Sequence, residues 1–124
     1  MELTRTIAAL ALAASVSLGV AACTAAPASE TISISAETVI IDVRTADEFG
    51  SGHLEGAINL DVQSASFDAL AAQLPTDGDY VVYCRSGNRS AAAIERLQAL
   101  GFTSLTNAGG LDAAATATGL EVVR

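Results

Sequence analysis

The chain has 124 residues, a formal net charge of −8 and six basic residues, all of them arginine. This acidic balance argues against nucleic acid or another polyanion as a partner. The 51% apolar content is enough for the core of one domain. One histidine and two widely separated cysteines form no metal-ligand cluster, so neither a metal nor a cofactor is expected.

Residues 1–22 are predicted to be a secretory signal peptide. The apolar run over residues 7–20 is shorter than the roughly 20 residues that a membrane span requires. It ends in Val20-Ala21-Ala22-Cys23, which resembles the bacterial lipobox, where cleavage leaves a lipid-modified N-terminal cysteine. We therefore expect lipid on Cys23, a tether over residues 23–30, and a bacterial cell-envelope location, membrane-anchored and extracytoplasmic.

The N-terminal segment has two other possible fates besides lipidation. Ordinary cleavage near Ala22 or Ala26 and an uncleaved anchor are the alternatives to lipidation. With lipid on Cys23, Cys84 has no partner for an intramolecular disulfide. A lone free thiol in an oxidising envelope is a hazard unless it is used, which favours a functional Cys84.

The chain from residue 31 to residue 124 alternates predicted strands and helices. Such alternation predicts a single α/β domain with a parallel sheet and helices on both faces. The predicted elements are an edge strand over 31–35, a central strand over 38–43, a helix from Ser64 or Ser66 to Leu74, a strand over 80–83, a helix over 90–100 and a short strand over 103–106.

The stretch from Asp79 to Ser90 carries the strongest functional signal. Cys84 follows a buried strand, a polar loop follows it, and Ser90 is predicted to be the N-cap of the next helix. Ligands of open α/β sheets bind beyond the carboxyl ends of strands. Loop amides, the helix N-terminus and two arginines, Arg85 and Arg89, all favour a thiolate, so the pKa of Cys84 is expected below about 8.5. The alternative is a buried structural cysteine beside surface arginines.

This loop resembles the active-site loop of the rhodanese (thiosulfate sulfurtransferase) family. Four residues separate Cys84 from Arg89, as in rhodaneses, whereas the loop of protein tyrosine phosphatases is one residue longer. The resemblance implies that Cys84 is catalytic and accepts a sulfane sulfur as a persulfide. It also implies a substrate-binding loop made of Arg85, Ser86, Gly87, Asn88, Arg89 and Ser90.

A second resemblance covers Asp42-Val43-Arg44, Glu48-Phe49 and Gly52 to Asn59, which match the first rhodanese signature. By this resemblance Arg44 pairs with Glu48 or a neighbour, and His53 helps to shape a turn. We prefer a structural His53 to a general base, because the loop already supplies a thiolate. Asp42 ends a strand on the active-site side and is expected to orient the loop.

Residues 107–114 resemble the second rhodanese signature, with one departure. Ala114 stands where the family usually carries tryptophan, and the chain contains no tryptophan. Either the wall near the pocket is thinner, or the last helix packs more closely. The departure bears on substrate specificity more than on the fold.

The resemblance implies a sulfurtransferase that moves sulfur from thiosulfate or a persulfide donor to a thiol acceptor. Its expected partners are a small anionic donor and a thiol, and a monomer is expected. The alternatives are a sulfur-carrying or partner-binding module without turnover and, less favoured because of the loop length, a phosphatase or arsenate reductase.

Overall fold

The computed structural model describes residues 30–124, so the predicted signal peptide, Cys23 and almost all of the tether lie outside the described residues. Within this part of the chain, no helix is long and apolar enough to cross a membrane. The strands are β1 (Val39–Asp42), β2 (His53–Leu54), β3 (Ile58–Asn59), β4 (Asp79–Cys84), β5 (Ser104–Gly110) and β6 (Val122–Val123), and the helices are α1 (Ala46–Ser51), α2 (Phe67–Ala71), α3 (Asn88–Ala99) and α4 (Leu111–Thr118).

The main sheet has four parallel strands in the order β3-β1-β4-β5. The two apolar strands predicted to be central, β1 and β4, lie in the middle. Asp42 pairs with Tyr83, and Cys84 pairs with Gly110. The carboxyl ends of β1, β4 and β5 therefore meet at one edge of the sheet. A separate antiparallel pair joins β2 to β6.

Helices cover both faces of the sheet, as predicted. Because side chains alternate along a strand, Tyr80 and Val82 of β4 point to one face and Val81 and Tyr83 to the other. The first pair packs with buried residues of α2 and α3. The second pair packs with Ala114 of α4. All four side chains are almost completely buried, which explains why the strand is a continuous apolar run.

The predicted edge strand over residues 31–35 is wrong. This segment has no strand conformation; instead the Ile32 amide donates to the Ala117 carbonyl oxygen at 2.8 Å, at the end of α4. Ile32 and Ile34 pack against the same core cluster as Ala114. The alternation of apolar residues therefore marks a segment that covers one face of the core.

Helix α2 is shorter than predicted, and its apolar side chains are only partly buried. It ends at Ala71 instead of Leu74, and Leu70 remains 43% exposed. Arg96 of α3 lies over the Phe67 ring and pairs with Asp68. This arginine therefore joins α3 to α2, because its stem covers apolar surface while its guanidinium reaches a carboxylate.

Candidate active site

Cys84 is the last residue of β4, at the edge of the sheet where ligands of α/β proteins bind. Its Sγ accepts a hydrogen bond from the Gly87 amide at 2.8 Å and lies 3.5 Å from Ser90 Oγ. The residue is completely buried. The strand end and the loop thus hold the sulfur beneath residues 85–87, against the start of α3.

The helix start differs from the prediction. Gly87 is the N-cap of α3, with a φ of 92°, and Ser90 lies inside the first turn. Only glycine adopts this left-handed conformation without strain, and it turns the Gly87 amide towards the sulfur. Ser90 therefore does not cap the helix, and its hydroxyl lies beside Cys84 instead.

Hydrogen bonds lower the pKa of Cys84 below its ordinary value, as the sequence predicted. Burial acts in the opposite direction and raises the pKa, because it disfavours the charged form. The Ser90 hydroxyl and the backbone amides of Ser90, Ser86 and Gly87 together outweigh burial, because they donate to the thiolate once it forms. The thiolate is therefore stabilised mainly by dipoles of the loop and the first helical turn.

The two loop arginines have different environments. Arg89 makes a double hydrogen bond to Glu48 of α1, at 2.7 and 2.9 Å, so its charge is largely used within the protein. Arg85 is exposed and has no ion pair among the described residues. The expectation that both arginines hold an anionic substrate therefore applies more directly to Arg85.

The Glu48–Arg89 pair fixes α1 against the loop. The Arg89 guanidinium holds the pKa of Glu48 down at about 2, compared with its usual 4.5. Thr45 adds a capping box, in which its hydroxyl and backbone exchange hydrogen bonds with Glu48 at the start of α1. Glu48 thus connects the beginning of α1 with the beginning of α3.

Arg44 pairs with Asp42 and not with Glu48. Its guanidinium donates to both Asp42 carboxylate oxygens and to the Gly52 carbonyl oxygen, and both side chains are buried. Burial opposes the charge of Arg44, but its bond to Asp42 raises its pKa overall. Asp42 therefore binds β1 to the turn before β2, and among the described residues its carboxylate makes no hydrogen bond to the Cys84 loop.

His53 has structural contacts, in agreement with the preferred interpretation. Its ring stacks on Phe49 with centroids 3.7 Å apart, and its Nδ1 lies 2.9 Å from the Phe49 carbonyl oxygen. These contacts close α1 onto β2. Within the described residues, His53 makes no hydrogen bond to the Cys84 loop.

Asn107 is a site residue that the sequence did not reveal. Strand β5 extends beyond the predicted 103–106, and an irregularity between Val82 and Tyr83 of β4 shifts its pairing. Asn107 Oδ1 lies 2.8 Å from Ser90 Oγ and also accepts from the Gly109 amide at 2.9 Å. The signal in the sequence was a polar residue, Asn107, directly after a strand predicted to belong to the same sheet as the strand that ends at Cys84.

Gly110 and Ala114 shape the site through their small size. A Cβ atom on Gly110 would overlap the Arg85 carbonyl oxygen, so only glycine lets the loop lie on β5. Ala114 is completely buried between α4 and the sheet. The position where the family usually carries tryptophan is therefore part of the core here.

A cavity of about 450 Å³ lies between α1, the start of α4 and the C-terminal segment around β6. Cys84 is not among the residues that line this cavity. Glu48 lines the cavity and also forms the ion pair with Arg89, which follows the Cys84 loop. Its walls are formed by Arg44, Glu48, Ser51, Gly52, Leu111, Val122 and Arg124. The sulfur itself is closed off in this conformation. Among residues 30–124, no group of three or more histidine, cysteine or acidic side chains is placed to hold a metal ion.

Comparison with known proteins identifies the family of this chain. Residues 26–117 match the Rhodanese-like domain family. The chain is 39% identical over 72 residues to thiosulfate sulfurtransferase PspE of Escherichia coli strain K12, covering 57% of this chain and 68% of that protein. It is 31% identical over 87 residues to a sulfurtransferase of Allochromatium vinosum, covering 70% and 79% of the two chains.

A solved structure described as "rhodanese with anions from E. coli" superposes with a TM-score of 0.60 at 31% identity. The match covers 70% of this chain and 98% of that one. The family match spans the sheet, the Cys84 loop and most of α4. The chain therefore belongs to the rhodanese-like domain family.

Proposed function

We propose that the protein is a rhodanese-type sulfurtransferase that carries a sulfane sulfur on Cys84. In the first half-reaction, the Cys84 thiolate attacks the outer sulfur of thiosulfate. A new S–S bond forms, the S–S bond of thiosulfate breaks, and sulfite leaves with the electron pair. In the second, an acceptor thiolate attacks the outer sulfur of the persulfide, and Cys84 leaves as a thiolate. Atoms and electrons balance without a cofactor.

The observation that carries this proposal is the environment of Cys84 Sγ at the end of β4. An amide donor at 2.8 Å and the start of α3 stabilise a thiolate, which is the form that attacks sulfur. The names of the relatives, thiosulfate sulfurtransferase and sulfurtransferase, support the same reaction class.

Donor binding is assigned to Arg85 and the loop amides. Arg85 is the exposed loop cation without an ion pair among the described residues, so it is available to a small anion such as thiosulfate. Because Cys84 is buried, residues 85–87 shift before the donor reaches the sulfur. We propose that a monomer is sufficient, because the groups that contact Cys84 Sγ lie within six residues of it along the chain.

The direct test is the mass of the protein after incubation with thiosulfate. We expect the wild type to gain one sulfur atom, located on the peptide that contains Cys84, and to lose it when a thiol is added. Cys84→Ser should gain none, because an alcohol cannot form a persulfide. Arg85→Ala should raise the KM for thiosulfate and leave the KM for the thiol acceptor unchanged.

The outcome separates the candidate functions. A wild type that gains no sulfur from thiosulfate or from a persulfide donor contradicts the sulfurtransferase assignment. A protein that gains sulfur on Cys84 but passes it on without repeated turnover is a sulfur carrier, the alternative that uses the same activated thiol.

We also propose that Cys23 is lipidated and anchors the protein to the extracytoplasmic face of a bacterial envelope membrane. The support is the Val20-Ala21-Ala22-Cys23 sequence alone. Cys23→Ala should move the protein from the membrane to the soluble fraction of its native host. A mature N-terminus at a residue other than Cys23 contradicts this proposal.

A further inference from the structure

The Ser90 hydroxyl has more hydrogen-bond acceptors than it can serve. Its Oγ lies 2.9 Å from the Gly87 carbonyl oxygen, 2.8 Å from Asn107 Oδ1 and 3.5 Å from Cys84 Sγ. A serine hydroxyl carries a single hydrogen, and a carbonyl oxygen only accepts. Gly87 and Asn107 therefore compete for that hydrogen even before the sulfur takes part.

The orientation of the Asn107 amide follows from its second contact. The Gly109 backbone amide, which can only donate, lies 2.9 Å from the same Asn107 atom. That atom is therefore the oxygen and not the nitrogen of the side-chain amide. Asn107 can only accept from Ser90, so it draws the hydroxyl hydrogen away from Cys84.

Ionisation of Cys84 changes this arrangement. While Cys84 is a thiol, its S–H donates to Ser90 Oγ, and the Ser90 hydrogen is free for Asn107 or Gly87. When the thiolate forms, Sγ becomes a third acceptor. The Ser90 hydroxyl hydrogen can then turn to the sulfur without leaving another acceptor unsatisfied. The Gly87 carbonyl oxygen still accepts from the Ala91 amide, and Asn107 Oδ1 still accepts from the Gly109 amide.

We propose that Asn107 is a positioning residue for sulfur transfer, which holds the Ser90 hydrogen and yields it to Cys84 Sγ whenever the thiolate forms. The inference rests on the proposed function, in which Cys84 is nucleophile and then leaving group. In the persulfide the negative charge lies on the outer sulfur, so the hydrogen returns to Asn107. Sharing the donor keeps the thiolate from being over-stabilised, which matters because nucleophilicity falls with the pKa of a thiol.

Replacing Asn107 with another uncharged residue adds no charge near the loop and removes none. Strand β5 itself carries no titratable side chain. The surrounding elements carry several charged or titratable side chains, and the substitution alters none of them: Asp42 and Arg44 at the end of β1, Asp47 and Glu48 on α1, Asp79, Tyr80 and Tyr83 on β4, Arg85 in the loop, Arg89, Glu95 and Arg96 on α3, and Asp112 on α4. A change in the ionisation of Cys84 on substitution of Asn107 therefore reports hydrogen bonding and not a new charge.

The test is the pH dependence of iodoacetamide alkylation of the full chain, followed on the peptide that contains Cys84 so that Cys23 does not contribute. Asn107→Leu keeps the shape of the side chain but removes the acceptor. We expect the pH at which alkylation of Cys84 is half-maximal, the midpoint, to fall by about 0.5 to 1 pH unit, because Ser90 then donates more fully to the thiolate. The midpoint, and not the absolute rate, is compared, since opening of the loop also limits the rate.

A double-substitution series shows whether the effect passes through Ser90. Ser90→Ala should raise the midpoint, and in that background Asn107→Leu should have no further effect. Thr106→Ala, at an exposed neighbouring position of β5, is the matched control and should leave the midpoint unchanged. If the leucine variant does not fold, Asn107→Ala carries the same expectations.

Three results would overturn the inference. A raised midpoint means that Asn107 merely anchors the loop, because misaligned amides stabilise the thiolate less. An unchanged midpoint means that Asn107 does not compete for the hydrogen. A fall that persists with Ser90→Ala means that the effect bypasses Ser90. The proposed function fails separately, through the absence of sulfur gain, since alkylation requires no sulfur transfer.

Discussion

Replacing Glu48 with glutamine should destabilise the protein in a pH-dependent way. Glu48 has a pKa of about 2 in the folded protein and 4.5 ordinarily, chiefly because of Arg89. At about 1.4 kcal/mol per pKa unit, this difference sets an upper limit of about 3 kcal/mol. Both side chains remain about a quarter exposed, 25% for Glu48 and 23% for Arg89. Solvent therefore screens the pair, and we expect a loss of about 1 to 2 kcal/mol.

The sign of the pH dependence follows from the lowered pKa. The stabilisation is fully present above pH 4.5 and is lost as the pH falls towards about 2, because the unfolded chain takes up the proton first. The difference between wild type and Glu48→Gln should therefore be constant near neutral pH and shrink in acid.

The measurement is urea unfolding at several pH values, with a thermal scan at pH 7. A loss of this size corresponds to a fall in Tm of roughly 4 to 15 °C for a domain of this size. Asp47→Asn is the matched control, since Asp47 lies in the same first turn but is exposed and has no ion pair among the described residues. If both variants lose the same stability, or if the difference persists unchanged at pH 3, the assignment of the pair is wrong.

Two further substitutions test the geometry around the loop. Gly110→Ala should reduce sulfur transfer on the order of 10²-fold while the protein still folds, because its Cβ displaces the Arg85 carbonyl; Gly50→Ala, where a Cβ meets nothing within 4 Å, should keep full activity. Arg44→Met should lower the free energy of unfolding by about 3 to 5 kcal/mol, because it leaves Asp42 buried and unpaired. Replacing both members of that pair with apolar residues should recover most of the loss in urea unfolding, and a double variant as unstable as Arg44→Met contradicts this.

Local signals in the sequence determined the architecture and the position of the nucleophile. Strand β4 is a continuous apolar run because it is buried on both faces, and a change to polar residues marks its end at Cys84. The lowered pKa of Cys84 was also predictable, since the donors that cause it are within six residues along the chain. These features depend on neighbours in sequence, which periodicity and turn chemistry report well.

Only the tertiary structure decided which polar groups pair. Glu48 and Arg89 are 41 residues apart, and Ser90 and Asn107 are 17 apart, so no local pattern connects them. The sequence predicted Ser90 as a helix cap, because a serine before an apolar helix is a good cap; the left-handed Gly87 took that position and freed the hydroxyl for Cys84. Packing of parallel strands brings these groups to one edge of the sheet, and distances there depend on strand register, which residue type alone does not encode.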